Sequence, residues 1–436
     1  MLDTTKAGAC IAELRRQAKF TQESLAERLG VSPQAVSKWE TGNAMPEVAL
    51  LCALAETLSC TVNDILEPGQ SRNSITGFME RNFALPEQQL LSWVPRVSRW
   101  KPSEGCDMWY SFPAMLAEAL CCVEAQEAGH TDVTYPQLNE RFRDLMHITG
   151  VGYGFLWNTV KRHIIEELWR VNDVGEMVTR VMGYYGRDYL WLTRENATPE
   201  EMCRAIMWSV ARGRPVVMEW PGGIPEFNIV TGYAQGGETL MGYTHCEECA
   251  AQTNELGMFV NPARWDDDFA FRVLVIGDKT EATFTDRDTF TYALQVLDKS
   301  EANDKAFGLS NELIAGDKAF RAWLEACDTD ENTAALFTFN DIYPYALYQN
   351  SIYTQQCVLS YYKKLAQHGS RQAHDIACQI TIAVDRIAGE RGGLNEPKKP
   401  KKYTAVRRQH IESLLAHRES MRGWLRELQD VMKQPE

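Results

Sequence analysis

No run of about 18 apolar residues occurs anywhere in the 436-residue chain, so no segment has the length and apolarity of a membrane-spanning helix. The opening MLDTTKAGAC lacks a signal-peptide layout, and the sequence therefore predicts a cytoplasmic protein. Positive charge is in short supply: 45 Lys and Arg stand against 59 Asp and Glu, a balance of −14. Such a chain does not coat nucleic acid or anionic membrane over its whole surface, although one small DNA-reading module is compatible with it. No period of about 20–50 residues repeats, which excludes solenoids and propellers. The 12 Cys are unevenly spaced and carry no disulfide framework, so reduced thiols are expected. What is present, 44% hydrophobic, 24% charged and 10% aromatic, is the composition of folded globular protein. At roughly 100–200 residues per domain the length suggests two to four domains.

The front of the chain reads as a run of short helices. Ile11, Leu14 and Ala18 recur at helical spacing in a first helix from Ala7 to Phe20, with Arg15, Arg16 and Lys19 beside them. Thr21-Gln22-Glu23-Ser24 offers a capping box, with Ser24 where Glu or Gln would be ideal. Leu25, Ala26 and Leu29 form the inward face of a second helix, which Gly30-Val31 ends. Ser32 caps a third helix, Pro33 fits its first turn, and Thr41-Gly42 stops it. Two short helices joined by so short a turn are a helix-turn-helix. Val48, Leu50, Leu51, Leu54, Ala55 and Leu58 predict a fourth helix, and Val62, Ile65 and Leu66 a short fifth.

The stretch TQESLAERLGVSPQAVSKWETGNAMP resembles the Cro/CI, or XRE-type, helix-turn-helix of bacterial repressors. The residues that carry the likeness are Gln22, Leu25-Ala26, Leu29-Gly30-Val31-Ser32, Val36-Ser37-Lys38-Trp39-Glu40, Gly42 and Pro46, and it extends from Ile11 to about Glu67. The resemblance implies that the third helix enters the major groove, in agreement with Ser32, Gln34, Ser37 and Lys38 forming a polar face at helical spacing. Gln34 suits an adenine edge and Lys38 a guanine or a phosphate. Gln22, Thr41 and Asn43 are expected to hold the sugar-phosphate backbone. The resemblance also implies that Glu40 pairs with Arg15 in a structural role. Against this reading stands a plain solvated helix face, since residues 1–70 carry six Lys and Arg against nine Asp and Glu.

Beyond a breaker-rich linker the pattern changes. The expected organisation is a DNA-binding domain over 1–69, a linker over 70–77, an α+β domain over 78–284 and a helical region over 285–436. The α+β fold class rests on helical patterns at Phe112–Ala128, Leu138–Met146 and Thr159–Trp169, followed by strands at Pro215–Trp220, Asn228–Tyr233, Thr239–Tyr243 and Phe269–Ile276. Gln235-Gly236-Gly237-Glu238 predicts a tight hairpin turn. Later helices are expected at Asp298–Ala315, Ala319–Cys327, Tyr345–His368, Gln372–Ile387 and Tyr403–Met432.

The middle region loosely resembles papain-like domains of the C39-peptidase and butirosin-biosynthesis-protein-H type, through Ala211-Arg212-Gly213-Arg214-Pro215-Val216-Val217 and Pro225-Glu226-Phe227-Asn228-Ile229-Val230-Thr231-Gly232-Tyr233. That resemblance implies a Cys opening the long helix and a His opening the second strand. This chain has Tyr110-Ser111-Phe112-Pro113 and Asn228 in those places. An amide cannot take a proton near neutral pH, so the domain is expected to be a non-catalytic sensor; Cys106 remains a displaced nucleophile under the enzyme alternative. Trp109, Tyr110, Trp220, Glu226 and Asn228 are the candidate ligand pocket, with ordinary core packing as the competing account.

His245-Cys246-Glu247-Glu248-Cys249 has metal-like spacing but no second pair of ligands, and Gly150-Val151-Gly152-Tyr153-Gly154 lacks the preceding strand of a dinucleotide site. No catalytic, metal or cofactor residues are assigned. The basic run Pro397-Lys398-Lys399-Pro400-Lys401-Lys402 with Arg407-Arg408 reads as a solvated interhelix loop or a phosphate contact. The sequence thus predicts a homodimeric transcription regulator that binds a double-stranded operator and senses a small-molecule effector, with no membrane contact. The alternatives are a DNA-tethered papain-like cysteine hydrolase or acyltransferase, and an antitoxin-like regulator controlled by a protein partner.

Overall fold

The computed structural model describes residues 4–18, 20–58, 62, 65, 75–79, 85–94, 111–154, 156–158, 163–165, 173–220, 226–244, 259–262, 272–298, 313–329, 342–367, 370–392 and 400–431. The chain is mixed α and β, mostly helical, with a small antiparallel sheet and an all-helical N-terminal region. No helix among the described residues is long and apolar enough to cross a membrane.

Four helices open the chain: α1 (Thr4–Gln17), α2 (Gln22–Leu29), α3 (Pro33–Glu40) and α4 (Val48–Leu58). Local chemistry sets their ends. The Thr21 hydroxyl accepts from the Ser24 amide while the Ser24 hydroxyl accepts from the Thr21 amide, so the capping box closes despite the short side chain. Gly30 ends α2 in the left-handed region at φ 68°, and Ser32 caps α3 by accepting from the Ala35 amide at 3.2 Å. Ile11, Leu25, Ala26, Val36, Trp39, Leu51, Leu54, Ala55, Leu58 and Ile65 form one buried cluster. Val62 and Ile65 are helical, and the rest of the expected fifth helix lies outside the described residues.

The larger part is built on a sheet that has seven antiparallel strands among the described residues. They are β1 (Gln89–Leu90), β4 (Arg187–Thr193), β5 (Val216–Trp220), β6 (Glu226–Ala234), β7 (Thr239–Thr244), β8 (Phe259–Pro262) and β9 (Arg272–Lys279), in the order β4-β9-β5-β6-β7-β8 with β1 also on β6. Alternation along the strands sends Val217, Phe227, Ile229, Leu274 and Ile276 to one face and Val216, Met218, Val230, Val273 and Val275 to the other. The first face receives α6 (Ser111–Ala128), in which 14 of 18 residues are buried, so this helix is covered on all sides. The second receives α9 (Pro199–Ala211) and the short α5 (Ile75–Phe78), whose Phe78 ring packs edge-on against Trp208 at 5.4 Å.

Around α6 lie α7 (Tyr135–Ile148), α8 (Val174–Tyr185), α10 (Asp286–Asp298), α11 (Gly316–Thr329), α12 (Ile342–Gln367), α13 (Arg371–Gly392) and α14 (Pro400–Val431). Leu120, Phe142, Val178, Phe290, Val358, Ile380 and Leu425 belong to one continuous cluster, so residues on both sides of position 285 share a core.

Several expectations are corrected. Thr159–Trp169 is not a helix: β3 (His163–Ile165) pairs with β2 (Leu156–Asn158), and β10 (Leu313–Ala315) adds to the same ribbon. Short apolar runs fit either period, and here strand partners from distant sequence decide. Asp298–Ala315 is likewise not one helix. Asp298 closes α10, whose start is marked by the Asp288 carboxylate accepting from the Thr285 amide at 2.8 Å, Leu313–Ala315 is a strand, and residues 299–312 lie outside the described residues. The strand β4, with no counterpart in the sequence reading, forms an edge of the sheet among the described residues. Gly150 follows α7 rather than a strand, as read from the sequence, and the basic run is helical from Pro400 onward instead of looped.

One buried group gives the fold a pH dependence. Nδ1 of His147 meets the Tyr153 hydroxyl at 2.5 Å and Nε2 meets the Thr289 hydroxyl at 3.0 Å. Thr289 gives its own proton to the Asp286 carbonyl at 2.6 Å, so Nε2 carries the hydrogen and Nδ1 accepts from Tyr153. Burial of this neutral ring pushes the imidazole down to about 4. The unfolded chain takes up the proton near pH ~6.5 and the folded one resists, so this contribution is present above ~6.5 and lost as pH falls toward 4. Unfolding by urea is expected to show stability falling by about 2 kcal/mol from this source between pH 7 and 5, with His147→Gln flattening the slope by that amount. An unchanged slope in the variant would refute the assignment.

Candidate nucleic-acid interface

The third helix presents two chemically different faces. Val36 and Trp39 are buried in the module's core, whereas Ser32, Gln34, Lys38, Thr41 and Asn43 are exposed and Ser37 is half-buried. Gln34, Ser37, Lys38 and Thr41 stand at i, i+3, i+4 and i+7, which places them in one stripe along α3. At the end of the stripe the Thr41 hydroxyl donates to the Ser37 carbonyl at 2.9 Å and accepts from the Asn43 amide group at 2.9 Å. These bonds fix the turn that carries Asn43.

Glu40 sits on the side of α3 that faces α1 and α2. Arg15 Nε lies 2.5 Å from Oε1 and Arg15 Nη2 3.2 Å from Oε2, while a third guanidinium nitrogen donates to the Phe20 carbonyl at 2.7 Å. Gln22 Nε2 adds a bond to Oε2 at 2.7 Å. Burial alone would raise the Glu40 carboxyl, but the Arg15 and Gln22 hydrogen bonds outweigh it and hold the group below its ordinary value. Glu40 is therefore an ionised staple among three helices, and Gln22 is half-buried on it. Orientation of the stripe thus depends on Arg15, Gln22 and Glu40.

The sequence reading overlooked Gly8. A Cβ there would lie 2.3 Å from the Trp39 carbonyl oxygen and 2.8 Å from the Gly42 amide nitrogen, and Gly42 itself adopts φ 71° with Thr5 Cα 2.8 Å from where its Cβ would be. The backbones of α1 and of the turn after α3 touch directly. The signal was available as a glycine inside an otherwise helical pattern.

The candidate ligand pocket is placed only in part. Trp109 and Tyr110 lie outside the described residues, as do Cys106, His245, Cys246 and Cys249. Trp220 and Glu226 are register partners at the end of the β5–β6 pair. Asn228 is buried, opposite Met218 and Thr244, and alternation puts it on the α9 face of the sheet. The start of α6 meets Phe227 instead: the Phe227 amide donates to the Ser111 hydroxyl at 3.3 Å, and the Phe112 and Phe227 rings lie 4.8 Å apart. Asn228 and the start of α6 are therefore not brought together. On the α6 face the buried Glu219 carboxylate pairs with Arg272 at 2.7 Å. Among the described residues no three His, Cys, Asp or Glu side chains are grouped as a metal site.

Comparison with known proteins bears on the first module. Residues 11–65 match the family model described as helix-turn-helix. The chain is similar to the HTH-type transcriptional activator BcrR of Enterococcus faecalis, 39% identical over 56 residues, which are 13% of this chain and 28% of that protein. It is also similar to Repressor protein C2 of Salmonella phage P22, 29% identical over 93 residues, 21% of this chain and 43% of that one. The chain thus spans less than half the length of either relative. With its capped α2 and α3, its buried Val36 and Trp39 and its polar stripe, the segment 11–65 is a helix-turn-helix domain of the Cro/CI type.

Proposed function

We propose that the chain is a sequence-specific, DNA-binding transcription regulator whose α3 stripe reads operator bases in the major groove. The observation that carries this reading is the stripe itself, held in register by the Arg15–Glu40–Gln22 staple within the segment that matches the helix-turn-helix family. Gln34 offers the paired donor and acceptor that suit an adenine edge, Lys38 reaches guanine or phosphate, Ser32 and Ser37 complete the polar face, and Gln22, Thr41 and Asn43 hold the backbone. A single module makes few base contacts, so the working unit is a homodimer on half-sites about 34–36 Å apart or a multiple of that. The working compartment is the cytoplasm.

In this proposal the 78–284 region is a papain-like scaffold without catalysis and, with the helices of 285–436, serves assembly and the sensing of a small molecule. Phe227 at the strand position facing the start of α6 supports a non-catalytic role, because a phenyl ring can neither take nor give a proton. An effector acts only through different affinity for the DNA-competent and incompetent arrangements, and a swing from 1:99 to 99:1 needs about 5.5 kcal/mol of such difference.

The test uses duplexes recovered by the full chain from a random pool. Gln34→Ala is expected to weaken binding to the recovered sequence by about 1–3 kcal/mol, roughly 5- to 150-fold, and binding to a scrambled duplex by less than about twofold. Equal losses on both duplexes would reject base reading by Gln34. Failure of the intact chain to enrich any sequence would reject the regulator reading.

A further inference from the structure

The last helix changes character along its length. From Ile411 onward α14 is fastened to the body: Ile411, Leu414, Met421, Leu425 and Leu428 are buried, and Arg418 and Arg422 reach the Leu297 carbonyl and the Asp317 carboxylate. The residues before Ile411 are of another kind. Between Pro397 and Ile411 stand Lys398, Lys399, Lys401, Lys402, Arg407 and Arg408 without one Asp or Glu, in a chain whose balance is −14. The helix begins at Pro400, so positions 401, 402, 407 and 408 fall within its first three turns. Positions 401 and 408, seven residues apart, fall on one side of the helical backbone. Arg408 is exposed and lies 3.0 Å from Glu412, the first acid after the run. The N-terminal end of the helix adds its own positive partial charge.

The helix-turn-helix module offers exposed cations at Arg16, Arg28 and Lys38, but its overall balance is negative. Residues 1–70 carry six Lys and Arg against nine Asp and Glu, and Arg15 is engaged with Glu40. Phosphate neutralisation supplies a large share of the affinity of DNA-binding proteins, so positive charge elsewhere in the chain adds to what this net-negative module provides.

We propose that the basic first turns of α14 are a second, sequence-independent contact with the DNA phosphate backbone; this rests on the regulator reading above. Ammonium and guanidinium groups at 401, 402, 407 and 408 pair with phosphodiester oxygens and release condensed counterions, while the buried remainder of the helix holds them in place. Base selection stays with α3, and the α14 contact adds affinity without altering the preferred sequence.

The full chain, the fourfold variant K401A/K402A/R407A/R408A and Gln34→Ala are compared on a mixed-sequence duplex across a potassium chloride series by fluorescence anisotropy. The fourfold variant is expected to bind roughly 10- to 100-fold more weakly at low salt, with the slope of log K against log salt shallower by about 3, while Gln34→Ala keeps the wild-type slope. The pair K401E/K402E leaves the Arg408–Glu412 contact intact and is expected to act in the same direction with an unchanged thermal midpoint. Unchanged affinity and slope in both basic-run variants would overturn the proposal while leaving the α3 reading intact. So would loss of binding to phosphatidylserine vesicles with duplex binding unaffected, which would assign the cations to an anionic lipid surface. If the intact chain binds no duplex at any salt concentration, the regulator reading itself falls.

Discussion

Replacing Arg418 by Ala is expected to destabilise the body of the protein by about 3–5 kcal/mol, the cost of stripping one partner from a buried ion pair. Its guanidinium is nearly enclosed and spends each nitrogen on a different element: Nε on Asp317 of α11 at 2.8 Å, one Nη on the Tyr153 carbonyl at 2.7 Å and the other on the Leu297 carbonyl of α10 at 3.1 Å. Burial opposes the charge, and Asp317 counters it; Asp317 in turn would be raised by burial but is held below its ordinary value by Arg422 and Arg418. In the alanine variant the Tyr153 carbonyl loses this donor inside the protein, the Leu297 carbonyl keeps only that of Arg422, and α14 loses one of its two fasteners. Arg422, on Asp317, Asp298 and the Leu297 carbonyl, remains and limits the damage to loosening rather than detachment. Arg418→Lys is expected to recover less than half of the loss, because one ammonium on a flexible stem cannot serve three acceptors in a planar fork. Urea unfolding followed by Trp fluorescence checks this. A shift below about 1 kcal/mol would mean that water replaces the guanidinium and that the web carries little of the stability.

The same web marks the limit of what the sequence made legible. Elements whose causes are local were readable from residue types: Thr21 and Ser32 as caps, Gly30 as a stop, and Gln235-Gly236-Gly237 as the turn that joins β6 to β7. Elements whose causes are distant were not. Leu156–Asn158 becomes a strand because Ile165 and Ala315 lie opposite Leu156, and nothing within three residues announces it. The helix ahead of Asp298 did carry a local sign, the cap of Thr285 by Asp288 three residues on, which the apolar spacing overshadowed. At the candidate interface, the stripe of Gln34, Ser37, Lys38 and Thr41 followed from helical spacing, whereas the engagement of Gln22 with Glu40 needed the packing of α2 on α3. Asn228 was misjudged relative to α6 because a one-residue offset on a strand exchanges the two faces, and only the register with Met218 and Val216 fixes which face is which.

Gly8→Ala is expected to unfold much of the helix-turn-helix module despite improving the intrinsic helix propensity of α1. The favourable term is about 1 kcal/mol, the usual difference between Gly and Ala inside a helix. Against it stands a methyl group placed 2.3 Å from the Trp39 carbonyl oxygen, 2.8 Å from the Gly42 nitrogen and 2.9 Å from the Glu40 carbonyl oxygen. All three are backbone atoms, so no rotamer change relieves the overlap and α1 must move away from α3. That movement lifts Ile11 from the shared core and stretches the Arg15–Glu40 pair, both of which depend on the distance between these helices. Overpacking alone costs about 1–3 kcal/mol and loss of a largely buried ion pair a further few, so the clash wins by about 2–4 kcal/mol. A core as small as this one has little stability in reserve. In the full chain, amide hydrogen exchange across α1–α3 is expected to accelerate by roughly 30- to 1,000-fold, with protection in α6 and β6 unchanged because they belong to a separate core. Affinity for the duplex recovered from the random pool should fall in the same proportion as the module's folded fraction. Slower exchange in α1 would show the propensity term winning, and with it that α1 can withdraw from Trp39 without loosening the Glu40 staple.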